Sequence, residues 1–212
     1  MPRDNFEKEL RLLNRELILM ASECETLIAK ASRVVMKGEM DLIDTMPDEY
    51  QALLEKENSV SHLCQHLFIL QQPVARDCDF ILTAMKMGMD LKAIGDYGMQ
   101  IVQRMNQQWG WMDVMDIEGL ALSSIHLVTR SIDSFVQADA ELAHKVVASR
   151  KTIDADFQQI KDRLVRRWKR KEMNEEQVID RILIANDFCH IAHHANNIGQ
   201  WVLDGLRKDV QQ

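Results

Sequence analysis

The sequence predicts an all-α protein built as two successive halves of three helices each. Three observations carry this. The 212 residues hold only 3 Pro and 8 Gly against 13 Met and abundant Leu, Ile and Ala, which leaves few places for turns and favours helix. Apolar residues recur at every third or fourth position over long stretches, the spacing of one helix face. The pattern of residues 27–43 returns at 127–143, the sign of an internal repeat.

Taken in order, a first helix is expected to start at Asp4, which precedes an apolar-periodic run and has Glu7 three positions on, as in a capping box. Pro47, in "TMPDEY", marks the start or interruption of another. Val74, Cys78, Ile81, Met85, Gly88, Leu91, Gly95, Gly98, Ile101 and Met105 advance by three or four each time and place one long helix from Pro73 to about Arg104. Pro73 suits its first turn, where a missing N–H costs no intrahelical bond. Gly88, Gly95 and Gly98 lower the helix propensity of that run, so a neighbouring helix is expected to approach closely there. "QQWGWMD" (107–113) is the mid-chain boundary, dividing residues 1–108 from 109–212. Asn174, followed by Glu175, Glu176 and Gln177, reads as a second capping box with acid in the first turn.

The repeat can be laid out by position. "LIAKASRVVMKGEMDLI" (27–43) lies over "LVTRSIDSFVQADAELA" (127–143) at an offset of 100, pairing Leu27 with Leu127, Val35 with Phe135, Glu39 with Asp139 and Leu42 with Leu142. Further on an offset of 97 superposes Asp90 on Asp187, Ile94 on Ile191, Gly95 on Ala192, Gly98 on Ala195 and Ile101 on Ile198. In that pair "MDLKAIGDYG" (89–98) sets charge into an otherwise buried helix pattern, and "NDFCHIAHHA" (186–195) keeps the apolar skeleton with Cys and His where Lys and Asp stood.

Several function classes fall away. A net charge of −7 argues against a general nucleic-acid binder, which needs a basic face for phosphates. The four cysteines form no CxxC pair and no charged-then-apolar leader is present, so reduced thiols in a cytoplasmic protein are expected. No apolar run reaches the roughly 18 residues of a membrane span. Only Glu141 with His144 fits the Glu-x-x-His motif that a di-iron bundle uses twice. Hydrolase elbows, HExxH and phosphate-cradling glycine loops are missing, and His62, Cys64 and His66 read as a helix flank, so no catalytic residue is assigned. One basic run stands out: "RLVRRWKRK" (163–171), with Arg163, Arg166, Arg167, Lys169, Arg170 and Lys171, reads as the solvated end of a helix and as a candidate partner surface, alongside the acidic segment 38–51.

"QQPVARD" (71–77), with Gln72, Pro73, Arg76 and Asp77 as its signature turn, followed by "MDLKAIGDYGMQI" (89–101), resembles the PhoU family of phosphate-signalling regulators; "KTIDADF" (151–157) and "HANNIG" (194–199) extend the likeness into the second half. The resemblance implies two tandem antiparallel three-helix bundles related by a pseudo-twofold, in a cytoplasmic, homodimeric and non-catalytic protein. It implies as partners the ATPase of a phosphate ABC transporter and a sensor histidine kinase, with repression of phosphate-starvation genes as the outcome. The competing reading is a PhoU-shaped adaptor repurposed for another transporter or regulator.

Members of that family hold metal through paired carboxylates four residues apart, two pairs per half. Carried over, the slots here fall on Tyr50 and Leu54 with Lys92 and Asp96, then on Arg150 and Asp154 with Cys189 and His193. Lys92 puts a positive charge where a cation would sit, so a cluster in the first half is not expected. In the second half, Asp154, Cys189, His193 and His190 are candidate ligands for one zinc or iron ion, although successive residues lie about 100° apart around a helix and all four cannot face one point. Arg150 would oppose such an ion.

Overall fold

The computed structural model describes residues 2–70, 75–108 and 116–210. Among these are seven α-helices and no strand, as the composition implies. The first half runs α1 (Pro2–Lys37), a 3-10 segment (Met40–Thr45), α2 (Met46–Leu70) and α3 (Ala75–Gln108). The second runs α4 (Glu118–Val136), α5 (Ala140–Ala148), α6 (Arg150–Lys169) and α7 (Glu175–Val210).

Local chemistry explains most of these ends. Asn174 and Gln177 form a reciprocal capping box at α7: the Gln177 amide donates to Asn174 Oδ1 at 2.8 Å and the Asn174 amide to Gln177 Oε1 at 3.0 Å. Pro47 occupies the second residue of α2, where its missing N–H is harmless. The expected cap at Asp4 is corrected: α1 already includes Pro2, whose fixed φ suits a first turn, and Asp4 lies inside the helix. Helix α3 continues to Gln108, past the expected end near Arg104, because Met105 extends the buried seam of Ile101 and Val102. Pro73 and the rest of 71–74 lie outside the described residues, as do 109–115 of the mid-chain boundary.

The second half carries one helix more than the three expected. Asp139 accepts from the Leu142 amide at 3.0 Å and starts α5, and Ser149 Oγ donates to the Val146 carbonyl at 2.6 Å and ends it. Buried Asn196 on α7 donates to the same Val146 carbonyl at 2.7 Å, tying α5 down. In the first half the corresponding stretch is the 3-10 segment, so the three long rods are common to both halves. The turn before each insert also repeats: Gly38 has φ 66° and Ala138, one hundred residues on, has φ 51°. Glycine adopts that left-handed conformation freely, whereas alanine is strained there.

Within the first bundle α2 runs antiparallel to its neighbours, since Glu16 meets Lys56 and Lys30 meets Glu49, while Tyr50 meets Asp96 and the Cys64 thiol meets the Ile81 carbonyl. The close approach expected at the glycines is sharpest at Gly95, where an added Cβ would lie 2.3 Å from Leu53 Cδ2; at Gly98 it would meet only Ile28 Cγ2 at 3.6 Å. Buried side chains from both halves join one apolar core.

Two substitutions test this packing by chemical denaturation. Ala138→Gly, at an exposed position, is expected to stabilise the fold by about 1 kcal/mol by relieving the left-handed alanine. Gly95→Val should destabilise it by roughly 1–3 kcal/mol through overpacking against Leu53.

Candidate functional site

Helices α3 and α7 lie side by side and antiparallel, and polar pairs fix their register. Asp90 on α3 is buried and accepts from Trp201 Nε1 at 2.7 Å and Asn197 Nδ2 at 3.1 Å, with His194 Nδ1 at 2.7 Å. Asp187 on α7, also buried, accepts from Arg104 Nε at 3.1 Å. At the offset that lays Asp90 on Asp187, Trp201 lies on Arg104, so the two halves make the same clasp in opposite directions. Tyr97 and His194, equivalents at that offset, face each other with ring centroids 5.8 Å apart. That reciprocity is the mark of a pseudo-twofold. Burial pushes the Asp187 carboxyl above its usual range, and the Arg104 guanidinium pulls it partly back.

Each half then presents one polar cluster where α3 or α7 meets the second rod of its bundle. In the first, Asp96 accepts from the Tyr50 hydroxyl on α2 and from Lys92 Nζ, the latter at 2.6 Å from one turn away on α3. Leu54 is a half-buried apolar side chain and offers no donor atom. Burial, followed by the hydrogen bond to Asp96 and its negative charge, pushes the Tyr50 phenol up to about 12. Both Asp96 oxygens are thus engaged by groups of this chain. An ammonium already fills the place of a cation, and a hard-metal cluster does not fit this donor set.

In the second half three of the four candidate ligands converge. His193 Nε2 on α7 lies 2.6 Å from Asp154 Oδ1 on α6 and 3.6 Å from Cys189 Sγ, one turn back on α7. The three donor atoms all fall within 4.8 Å of one another. His190 does not join them. Its ring stacks on Tyr97 at a centroid distance of 4.8 Å and an interplanar angle of 10°, turned toward α3 as the helical spacing requires. Desolvation lowers the His190 pKa, and the neighbouring His193 and His194 lower it further. The Cys189 thiol is pushed up to about 11 by burial and the Asp154 charge, with Arg150 acting in the opposite sense.

This is not the geometry of a nucleophilic dyad. A Cys–His pair oriented by a carboxylate uses the two imidazole nitrogens separately, one for sulfur and one for oxygen. Here both contacts crowd onto Nε2, as donors do around a common centre. The set of one thiol, one imidazole and one carboxylate fits a borderline ion such as zinc.

The basic run divides. Arg163 Nη1 lies 3.5 Å from Asp116 Oδ1 and Arg167 pairs with the other oxygen of the same buried carboxylate, just before α4. Arg167 also reaches Glu172 at 3.2 Å. These two arginines therefore tie the end of α6 to the entry of the second half, while Arg166, Lys169, Arg170 and Lys171 are exposed. Lys171 adopts φ 58° at the turn after α6. Asp77 of the signature turn is half-buried on α3; Gln72 and Pro73 lie outside the described residues, as does the side chain of Arg76. His66 faces Glu9 at 3.3 Å, Cys64 is buried, and Glu141 pairs with Lys145 at 2.5 Å, so none of these joins a cluster. Sequence reading missed Arg104, Asn197 and Trp201. The offset of Arg104 onto Trp201 was the available signal, hidden because the two side chains share no chemistry.

Comparison with known proteins agrees with this architecture. The PhoU domain model matches residues 17–105 and again 117–202. A phosphate-specific transport system accessory protein PhoU homolog from Pseudomonas putida is 24% identical over 205 residues, covering 93% of this chain and 79% of that protein. The crystal structure of PhoU from Pseudomonas aeruginosa superposes with a TM-score of 0.90 at 22% identity, covering 96% of this chain and 99% of the other. That of the phosphate transport system regulatory protein PhoU from Streptococcus pneumoniae gives 0.86 at 16% identity, covering 96% and 97%.

Two measurements follow from the clusters. In a spectrophotometric titration one of the two tyrosines should ionise with a midpoint near 12, and Tyr50→Phe should remove that phase. The neutral phenol is favoured in the folded state, so its stabilisation, present below the ordinary tyrosine pKa of about 10, is lost as pH rises through the folded value. Arg104→Leu leaves the Asp187 carboxylate buried without its cation and should cost roughly 2–3 kcal/mol by urea denaturation. Asp187→Asn, which removes the charge itself, should cost less.

Proposed function

Because this chain belongs to the PhoU-domain family, with one domain in each half, we propose that it is a cytoplasmic regulator of phosphate uptake and phosphate-starvation signalling. It acts by protein–protein binding and without catalysis. The observation that carries this is the doubled family match, which spans both bundles. Relatives matching over nearly the whole chain are named as accessory proteins of a phosphate-specific transport system. No helix among the described residues is long and apolar enough to cross a membrane, which suits a protein that works on a transporter from outside the bilayer.

The partners in this reading are the ATPase of a phosphate ABC transporter and a sensor histidine kinase, met by a homodimer of this chain. Arg166, Lys169, Arg170 and Lys171, exposed at the end of α6, form the basic face offered to them. Arg163 and Arg167 are committed to Asp116 and are left out of that face. Exposed Asp41 and Asp44 between α1 and α2, with exposed Asp48 in the first turn of α2, lie along the acidic segment and form a second candidate face.

One observation favours a second reading. The first-half cluster is closed by Tyr50 and Lys92, which suits a scaffold that has shed the family's metal and serves as an adaptor for another transporter or regulator.

Deleting the gene separates the two. Loss of regulation predicts starvation genes expressed at high phosphate and restored silence on complementation. The charge reversal of Arg166, Lys169 and Arg170 to Glu should weaken capture of the transporter ATPase by about tenfold, a change near 1.4 kcal/mol. A deletion strain with unchanged phosphate uptake and unchanged starvation-gene expression would overturn the regulatory reading in favour of the adaptor.

A further inference from the structure

Among the described residues α2 packs only on α1, α3 and the 3-10 segment, and α6 only on α4, α5 and α7, so these two helices are the outer rods, one on each flank of the joined halves. Their charges are opposite. Residues 38–57, from the 3-10 segment into α2, hold seven carboxylates and one lysine, whereas residues 161–171, at and just beyond the end of α6, hold seven cations and one carboxylate. We infer that the basic end of α6 docks on the acidic start of α2 in a second copy of this chain, in a head-to-tail contact. The inference goes beyond the regulatory reading above and does not depend on it.

Pairing within the chain leaves charge over on both flanks. Glu39 is taken by Arg33, Glu49 by Lys30 and Lys56 by Glu16. Arg163 and Arg167 go to Asp116, and Glu172 takes Arg167 and Arg170. Glu175 and Glu176 lie in the first turn of α7 and serve its positive end. Exposed Asp41, Asp44, Asp48 and Glu55 enter no ion pair among the described residues, nor do exposed Arg166, Lys169 and Lys171. Complementary charges of this kind steer encounter and fix the register of a contact. Each zone also exposes one large apolar side chain, Met40 at 36% and Trp168 at 39%. The Trp168 indole N–H has no acceptor among the described residues, and the acidic zone is rich in acceptors. Tryptophan, methionine and arginine are the side chains that interfaces gather, and a thioether packs well against an indole.

The position of the zones sets the symmetry. Tyr50 meets Asp96 and Cys64 meets Ile81, so α2 starts beside the end of α3; Arg104 meets Asp187, so α7 starts there too, and α6 ends where α7 begins. Both zones therefore stand at the same end of the molecule, on unlike flanks. A two-fold axis between flanks would set acid on acid or base on base, which repel. Parallel copies standing side by side set base on acid at every contact. Such a heterologous contact leaves one basic and one acidic flank open at the ends, and the assembly grows to a ring or a chain. Arg166, Lys169 and Lys171 belong to the basic face offered to partners above, so a copy docked there excludes a partner.

Sedimentation velocity of the full chain over a wide range of concentration tests this. At low salt the mass should climb past that of a dimer as concentration rises, and roughly 1 M salt, where the screening length falls to about 3 Å, should reverse the rise. Reversing the basic zone, with Arg166→Glu, Lys169→Glu and Lys171→Glu, should weaken association by at least about tenfold, and so should reversing the acidic zone, with Asp41→Lys, Asp44→Lys and Glu55→Lys. Mixed in equal amounts, the two variants should associate again, because each now presents the charge the other lacks, and that recovery shows that both are folded. A single mass at every concentration, a mass that levels off at the dimer, or mixed variants that stay apart although each keeps a helical circular-dichroism spectrum would each overturn the inference. Reversals that lower capture of the transporter ATPase yet leave the mass unchanged would assign both zones to that partner alone, and so overturn this inference while sparing the regulatory reading.

Discussion

Two carboxylates buried where α3 and α7 lie antiparallel govern the rest of the architecture. An ionised group out of water must be met by donors or it destabilises the fold by several kcal/mol. Asp90 finds its donors on α7 and Asp187 finds its donor on α3. Neither helix can slide by a turn without orphaning both. The register of these two long rods is therefore set by polar demand, within a core whose bulk stabilisation is apolar and would tolerate several alignments.

That register places everything else. It brings Tyr97 of the first half against His190 and His194 of the second and so leaves His190 occupied at the seam. His193, one helical step of 100° from His194, is turned the other way, toward α6 and Asp154. Adjacent residues in sequence thus serve different neighbours: His194 belongs to the clasp and His193 to the surface cluster. The small residues that follow Asp90 and Asp187, Gly95 and Gly98 in one half and Ala192 and Ala195 in the other, are all buried and let a neighbouring helix close in. Gly95 carries the tightest of these approaches, against Leu53 of α2, and that closeness delivers Tyr50 to Asp96.

The polar clusters on the two bundles show how one backbone frame can carry different chemistry. Slots one turn apart on a helix, faced by slots on the next, will gather whatever side chains stand there. In the first half a phenol and an ammonium satisfy the single carboxylate, and the group is neutralised from within the chain. In the second half an imidazole is crowded by a thiol and a carboxylate. The difference lies in four substituted side chains, with the rods beneath them alike.

Much of this was legible in the residues. The rarity of Pro and Gly and the spacing of apolar positions determined a helical protein. The recurrence of 27–43 at 127–143, and of the pattern around Asp90 at Asp187, determined that it is doubled. Asn174 and Gln177 determined where α7 begins, because capping is a local hydrogen-bonding problem. What tertiary structure alone decided is which side of a helix each polar residue serves. Four candidate ligands within α6 and α7 became three when Tyr97 claimed His190; six basic residues became four when Asp116 claimed Arg163 and Arg167; and Arg104 and Trp201, chemically unlike, proved to be equivalents. Such choices depend on partners far away in the chain. Periodicity records that a face exists, and only the packed neighbour says what that face must satisfy.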